Sequence, residues 1–188
     1  MRYCVDSNII VWGIKKQATD GQEEMIARAE KLFARIDEYQ DFVIIPTIVL
    51  AEVLAPEPAI VRAKYLEILN KSFLIAPFDA RAALKYAEML SSRLEEIKSI
   101  SNDIGVPRQK MKADHMVIAT AIVNEANCIY STDAGLKAFA NGYIDVKDLP
   151  PLKDPLPITA SMQTKLFEDN SAKQHEEEKP TEGEDLPF

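Results

Sequence analysis

Residues 3–12 read Tyr-Cys-Val-Asp-Ser-Asn-Ile-Ile-Val-Trp, and this stretch decides the fold. The apolar run Tyr3-Cys4-Val5 stops at Asp6, and a second apolar run begins after Ser7-Asn8. This pattern predicts a buried parallel strand, then a turn, then a helix. Ligands of open α/β sheets bind beyond the carboxyl ends of the strands, so Asp6 is expected to face a functional site. Capping of the next helix is the alternative role for this residue.

Strands and helices alternate through the first 148 residues of the chain. Further strands are predicted at about 42–45, 72–76, 127–131 and 143–147, with helices at about 22–39, from 47, 59–70, from 79, from 112 and 134–141. A polar loop is predicted over 101–111. Such alternation requires a parallel sheet that is covered on both faces. The expected fold class is therefore α/β, a three-layer α/β/α domain over residues 1–148.

Composition limits the classes of protein to which the chain can belong. It has 188 residues, of which 47% are hydrophobic, enough for one domain with a core plus an appendage. The net charge of −8 divides into −5 for residues 151–188 and −3 for residues 1–150. Because the charge of residues 1–150 is nearly balanced, it argues little against a nucleic-acid partner. No apolar stretch approaches the roughly 18 residues of a membrane span. A soluble, cytoplasmic protein without a membrane partner is expected.

Four carboxylates are expected to meet at one edge of the predicted sheet. Asp6 and Asp133 each end a strand there. Glu52 and Asp114 lie near the starts of helices that leave the same edge, with Asp114 predicted in the first helical turn. Gathered carboxylates repel one another unless a cation neutralises them, and oxygen ligands suit Mg²⁺ or Mn²⁺. Because such an ion activates water and stabilises charge on a phosphate, the constellation predicts phosphodiester hydrolysis.

Four short motifs follow one another along the chain: Asp6-Ser7-Asn8, Thr47 with Glu52, Asp114 with Ile118-Ala119-Thr120-Ala121, and Ser131-Thr132-Asp133. Together they resemble the PIN-domain nucleases, particularly the VapC-like toxins of bacterial toxin–antitoxin pairs. The resemblance implies metal ligation by Asp6, Asp114 and Asp133, with Glu52 as a further ligand or as the carboxylate that positions water. It also implies supporting roles for Asn8, which would steady Asp6, for Thr47, and for Ser131, which would orient ligand or water.

The function implied by this resemblance is a divalent-metal-dependent endonuclease, with these four carboxylates as catalytic residues and RNA as the expected substrate. A structure-specific DNA nuclease and a non-catalytic PIN fold that serves as an interaction protein are the alternatives. The chain departs from the common pattern at Ser131, where Thr is usual, and at Ala134-Gly135-Leu136, where an acidic residue is usual. An antitoxin partner is implied as well, and the apolar helices over 47–70 add to the expectation of a homodimer.

Basic residues and a histidine flank Asp114 in the sequence. Arg108, Lys110 and Lys112 could contact a phosphate backbone there, or they could form a solvated basic loop. His115 lies roughly 100° around the helix from Asp114, which predicts a packing or surface role rather than a general base.

Residues 149–188 differ from the body in composition, since several prolines are followed by polar and acidic residues. A disordered acidic tail is predicted there. Its tip, Glu184-Asp185-Leu186-Pro187-Phe188, resembles the acidic C-terminal tip of bacterial single-stranded-DNA-binding protein. That resemblance implies docking to proteins with a pocket for such a tip. A tail that only solvates, or one that folds back over the basic loop at 108–112, is the alternative.

Overall fold

The computed structural model describes residues 1–92, 97, 105 and 107–152. Its strands are β1 (Arg2–Val5), β2 (Phe42–Pro46), β3 (Leu74–Ala76), β4 (Cys128–Tyr130) and β5 (Val146–Lys147). They form one sheet in the order β3-β2-β1-β4-β5, and each neighbouring pair is parallel. The predicted α/β class with a central parallel sheet is therefore confirmed.

Helices flank the sheet and connect its strands. They are α1 (Ser7–Ile10), α2 (Glu23–Glu38), α3 (Thr47–Leu54), α4 (Ala59–Ser72), α5 (Ala80–Ser92), α6 (Arg108–Val123) and α7 (Ala134–Ala140), with a π-helical turn at Val11–Lys15. Most begin within a residue or two of their predicted starts, because Pro, Asp and apolar periodicity mark those starts in the sequence. Within the described ranges, no helix combines the length and the apolarity needed to cross a membrane.

The core is built around β1, which lies at the centre of the sheet. Cys4 and Val5 are fully buried, as are Ile44 and Ile45 of β2 and Ile129 of β4. Helices cover both faces of a parallel sheet, so its strands are apolar at consecutive positions rather than at alternate ones. Each large aliphatic side chain buried in this way stabilises the fold by roughly 1.5–3 kcal/mol. The continuous apolar runs of the sequence thus become the interior of the domain.

The start of α6 differs from the prediction. The helix begins at Arg108, so Arg108 and Lys110 lie on a helix and not in a polar loop, and Asp114 lies in the second turn and not in the first. Arg, Gln and Lys have high helix propensities despite their polarity, and Pro107 occupies the N-cap position with φ of −58°. The polar composition of this segment was therefore a poor guide to its conformation.

The segment that follows β5 is fastened to α2. Leu149 is buried, and Arg28 donates from Nε to the carbonyl of Pro150 at 3.1 Å and from a second nitrogen to the carbonyl of Leu149. Lys31 donates from Nζ to the carbonyl of Pro151 at 2.8 Å. These three hydrogen bonds fix the path of the chain as it leaves the sheet.

Some predictions fall outside the described residues. Residues 153–188, with the proposed acidic tail and its docking tip at 184–188, are among them. So are Leu94 in the predicted extension of α5 and most of the predicted loop from residue 101 to residue 106. The docking role of the tip stays a prediction from the sequence.

Candidate active site

Asp6 lies at the carboxyl end of β1 and is buried, with both carboxylate oxygens engaged. Oδ1 accepts from the backbone amide of Ser7 at 2.7 Å and from its hydroxyl at 3.4 Å. Oδ2 accepts from the hydroxyl of Ser131 at 2.7 Å. Asp6 therefore caps α1 and also faces the end of β4. Capping of the helix and a place in a functional site are compatible roles for this residue. Among the described residues no hydrogen bond joins the exposed Asn8 to Asp6, and Ser7 takes the steadying position expected of Asn8.

Ser131 connects two of the candidate acidic residues. Its side chain is completely buried, its hydroxyl donates to Asp6, and the same oxygen accepts from the backbone amide of Asp133 at 3.0 Å. In the parallel pairing of β1 with β4, Val5 lies opposite Tyr130. Asp6 follows Val5 and Ser131 follows Tyr130, so the register of the sheet brings Asp6 and Ser131 into contact.

Asp133 caps α7 and forms an ion pair. Its Oδ1 accepts from the backbone amide of Leu136 at 2.8 Å, and its Oδ2 lies 2.9 Å from Nζ of Lys110. Burial acts to raise the pKa of this carboxyl group. The hydrogen bond from Lys110 and those from backbone amides outweigh burial, so the pKa is lowered overall. Asp133 is thus held in its charged form.

Asp114 makes few polar contacts with the described residues. It is buried on α6, its Oδ1 lies 3.6 Å from Nζ of Lys110, and its buried Oδ2 has no hydrogen-bond partner in the described part of the chain. Burial, reinforced by the charges of Asp133, Asp6 and Glu52, raises the pKa of Asp114 to about 7 even though Lys110 opposes the rise. A buried carboxylate oxygen without a partner is costly, so Oδ2 is the atom of this group best placed to accept a cation.

Glu52 faces the same group from α3. The residue is exposed, but partial burial of its carboxyl group raises its pKa, and the charge of Asp6 adds to the rise. A hydrogen bond with Ser7 and the charge of Lys110 act in the opposite direction. Since Glu52 also acts on Asp114, the structure brings all four predicted carboxylates to one edge of the sheet.

The remaining predicted residues lie around this edge or outside it. Thr47, at the start of α3, accepts a hydrogen bond from the amide of Phe78 at 3.2 Å and so supports the backbone beside β3. Arg108 and Lys112 are exposed on α6. His115 is buried against Phe139, with 4.8 Å between ring centroids, which agrees with its predicted packing role.

Sequence reasoning missed two features of the site. The motif Asp6-Ser7-Asn8 does not single out Ser7, although its position directly after a capping Asp is a recognisable signal for a local hydrogen bond. The sequence does not indicate the approach of Lys110 to Asp114, because the predicted helix begins at 112 and leaves Lys110 in a loop. Residues 110 and 114 have the i,i+4 spacing that places side chains on one helix face.

The donor atoms of the cluster suit a hard divalent cation. They are carboxylate oxygens, the ligands that Mg²⁺ and Mn²⁺ prefer, and Oδ2 of Asp114 has no other partner among the described residues. In the described chain, no three His, Cys, Asp or Glu side chains are arranged closely enough to hold a metal ion as they stand. The ammonium group of Lys110 lies between Asp133 and Asp114 instead.

The raised pKa of Asp114 predicts how metal-free stability depends on pH. Its folded-state pKa of about 7 exceeds the unfolded value of about 3.9, so the folded protein holds a proton that the unfolded chain releases between these values. Stability contributed by this group is present at low pH and is lost as the pH rises towards 7. We therefore expect Asp114→Asn to gain stability relative to the wild type, on the order of 2 kcal/mol, between about pH 5 and about pH 8.

Urea unfolding in the presence of EDTA measures this difference. Asp37→Asn, on the exposed surface of α2, is the matched control and is expected to show no such trend. An Asp114→Asn difference that is the same at both pH values would contradict the prediction.

Comparisons with solved structures give two matches among those found. The crystal structure of VapBC2 from Rickettsia felis bound to a DNA fragment from their promoter matches with a TM-score of 0.51 and 19% identity, over 79% of this chain and 98% of that chain. The crystal structure of DNA-bound VapBC from Salmonella typhimurium matches with a TM-score of 0.48 and 16% identity, over 80% of this chain and 99% of that chain. At 19% identity, the match to the Rickettsia felis structure shows a similar fold and nothing more.

Comparisons of the sequence itself give one match at the level of a family. No curated protein matches the chain. The family model described as PIN domain matches residues 3–142, which include most of β1, all of β2 to β4 and all four carboxylates. The order of the strands, the residues at their ends and this match agree, and the chain belongs to the PIN-domain family.

Proposed function

We propose that this PIN-domain protein is a divalent-metal-dependent endonuclease that hydrolyses phosphodiester bonds in RNA. The observation that supports it most strongly is the approach of Asp6, Glu52 and Asp133 to Asp114, whose buried Oδ2 has no hydrogen-bond partner among the described residues. The choice of RNA rests on the resemblance of the four motifs to the VapC-like toxins. Cleavage of DNA, and a PIN fold without activity, are the outcomes that would replace this proposal.

The proposed roles follow from the environment of each carboxylate. Asp6, Asp114 and Asp133 would hold Mg²⁺ or Mn²⁺. When bound, such an ion activates water for attack on phosphorus and neutralises charge on the phosphate oxygens. The exposed Glu52, whose pKa is raised by partial burial, is suited to orient the attacking water and to accept its proton.

Serine hydroxyls hold the proposed ligands in fixed orientations. Ser131 positions Asp6 through its hydroxyl and accepts from the amide of Asp133, while Ser7 holds the other oxygen of Asp6. A ligand whose direction is fixed before the substrate arrives loses little freedom when the reaction proceeds. These contacts support the proposal that the site is catalytic.

Cleavage assays with matched variants test the proposal. In a set of RNA and DNA substrates with Mg²⁺ or Mn²⁺, the purified protein is expected to cut RNA, and Asp6→Asn and Asp114→Asn are expected to lower the rate by roughly 100-fold or more. Asp37→Asn should leave the rate unchanged. Equal cleavage by the wild type and the two active-site variants would remove these residues from the mechanism. Cleavage of DNA alone would make the protein a DNA nuclease, and a folded protein without activity would favour an interaction role.

The role of Ser131 can be separated from that of the acidic residues. We expect Ser131→Ala to lower cleavage or metal affinity by roughly 10- to 100-fold, because Asp6 loses the hydrogen bond to its Oδ2. Ser131→Thr keeps the hydroxyl and should retain most of the activity. Steady-state kinetics across a Mg²⁺ titration measures both variants. Equal losses in the two would indicate that packing, and not the hydroxyl, matters at this position.

A homodimer and a small antitoxin partner belong to the same proposal. On α4, Ile60 is 83% exposed and Leu66 is 38% exposed, which leaves apolar surface for a second chain. Light scattering of the full chain at micromolar concentration should give twice 21.1 kDa, and Ile60→Lys should shift the mass towards the monomer. Phe42→Lys, at an exposed position on β2, is the control. A monomeric wild type would contradict the dimer.

The antitoxin is tested by growth of cells. Cells that express the chain alone are compared with cells that also express a small protein encoded beside it.

A further inference from the structure

We propose that Lys110 is the resident counter-cation of the carboxylate cluster, and that a divalent metal ion has to displace its ammonium group from Asp133 and Asp114 in order to bind. The inference rests on the proposed metal-dependent function and adds to it a residue that sets the affinity for the metal. The sequence alone offered Lys110 as a contact for a nucleic-acid backbone, which is a different role.

The geometry places this ammonium group among the acidic residues. Its Nζ lies 2.9 Å from Oδ2 of Asp133 and 3.6 Å from Oδ1 of Asp114. Lys110 and Asp114 lie one turn apart on the same face of α6, while Asp133 reaches them from the start of α7. One cation thus bridges carboxylates that come from two separate elements of the fold.

The charge of Lys110 acts on most of the cluster. It lowers the pKa of Asp133, and it opposes the rise in the pKa of Asp114 and of Glu52. Without a cation, carboxylates gathered at one point repel one another and favour protonation. Lys110 therefore neutralises part of the charge that a divalent ion would otherwise neutralise.

Asp133 and Asp6 do not depend on Lys110 for their positions. Asp133 is held by the amide of Leu136 through its other oxygen, Oδ1. Asp6 is held by Ser7 and Ser131. When the ammonium group leaves, Oδ2 of Asp133 becomes available while these hydrogen bonds remain. Lys110 thus lies against one oxygen of each of two proposed metal ligands, Oδ2 of Asp133 and Oδ1 of Asp114.

Displacement is also physically accessible. The side chain of Lys110 is 46% exposed, so its ammonium group can move into water without crossing the core. Lysine carries a strongly hydrated point charge on a flexible four-carbon stem, and that charge is less tied to one geometry than the planar fork of arginine. The ion pairs of Lys110 are accordingly suited to exchange rather than to permanent closure of the site.

Metal binding by Lys110→Met tests the proposal without any RNA. We expect this variant to bind Mn²⁺ roughly tenfold more tightly than the wild type, since a competing positive charge has been removed. In EDTA the same variant should melt at a lower temperature, because the carboxylates lose their counter-cation. Calorimetric titration and thermal unfolding measure the two effects.

Lys112→Met is the matched control, because it removes the same charge from an exposed position on the same helix. We expect its Mn²⁺ affinity to stay within about twofold of the wild type, as screening by solvent and salt predicts. Lys110→Met binding that is equal to or weaker than that of the wild type would overturn the proposal. Absence of Mn²⁺ binding by both proteins would overturn it as well.

A second measurement uses the unaltered chain, in case Lys110→Met does not fold. Brief acylation of lysine amines, followed by mass spectrometry, reports how accessible each ammonium group is. Addition of Mn²⁺ should increase labelling of Lys110 several-fold and leave Lys112 unchanged. Labelling of Lys110 that stays constant or falls would contradict displacement.

The outcomes separate this inference from the proposed function. Tighter Mn²⁺ binding by Lys110→Met together with no cleavage of any RNA would preserve the counter-cation role and reject the nuclease. Cleavage that depends on Asp6 and Asp114, together with unchanged Mn²⁺ affinity in Lys110→Met, would preserve the nuclease and reject the counter-cation role.

Discussion

A main-chain hydrogen bond from the amide of Asp6 to the carbonyl of Tyr130, 3.1 Å long, is the constraint on which the candidate site depends. It continues the parallel pairing of β1 and β4 one step beyond the end of β1. The side chains of Asp6 and Ser131 meet because the two strands end in step. A slip of one residue in either strand would turn that strand's side chains to the opposite face and would separate Asp6 from Ser131. The register of the sheet is therefore part of the chemistry of the site.

The acidic residues at this edge are stabilised unequally. Asp6 and Asp133 receive backbone amides and hydroxyl or ammonium groups, while Asp114 is buried with one oxygen unpartnered in the described structure. Their pKa values move apart as a result, with that of Asp133 lowered and that of Asp114 raised. Titratable groups that differ in this way within one site are typical of functional clusters and are unfavourable for stability alone. The fold thus accepts a local cost at the edge where its strands end.

How far the sequence predicted this structure depended on the kind of signal. The strands were predictable because buried parallel strands are apolar at successive positions, as in Tyr3-Cys4-Val5. Asp6 and Asp133 were predictable as neighbours because each follows one of those strands. The start of α6 was not predictable. Residues 108–111 are polar, as in a loop, but they also have high helix propensity.

Short-range polar contacts were the least predictable part of the site. Ser7 and Asn8 both follow Asp6, and the sequence does not reveal which side chain turns back to the carboxylate. The ion pair of Lys110 with Asp133 joins residues from two helices, so it depends on how those helices pack and not on any local pattern. By contrast, the convergence of the carboxylates followed from topology alone.

The attachment of Leu149, Pro150 and Pro151 to α2 has a consequence for whatever the rest of the chain contacts. Arg28 and Lys31 hold three successive carbonyl groups, so residues 153–188 start from a fixed point on the domain. These residues are covalently linked to the PIN domain, so the local concentration near the domain of a molecule bound to them is set by the length of the connecting chain. Because of this tethering, a contact that is weak between separate molecules is sufficient to keep the bound molecule next to the PIN domain.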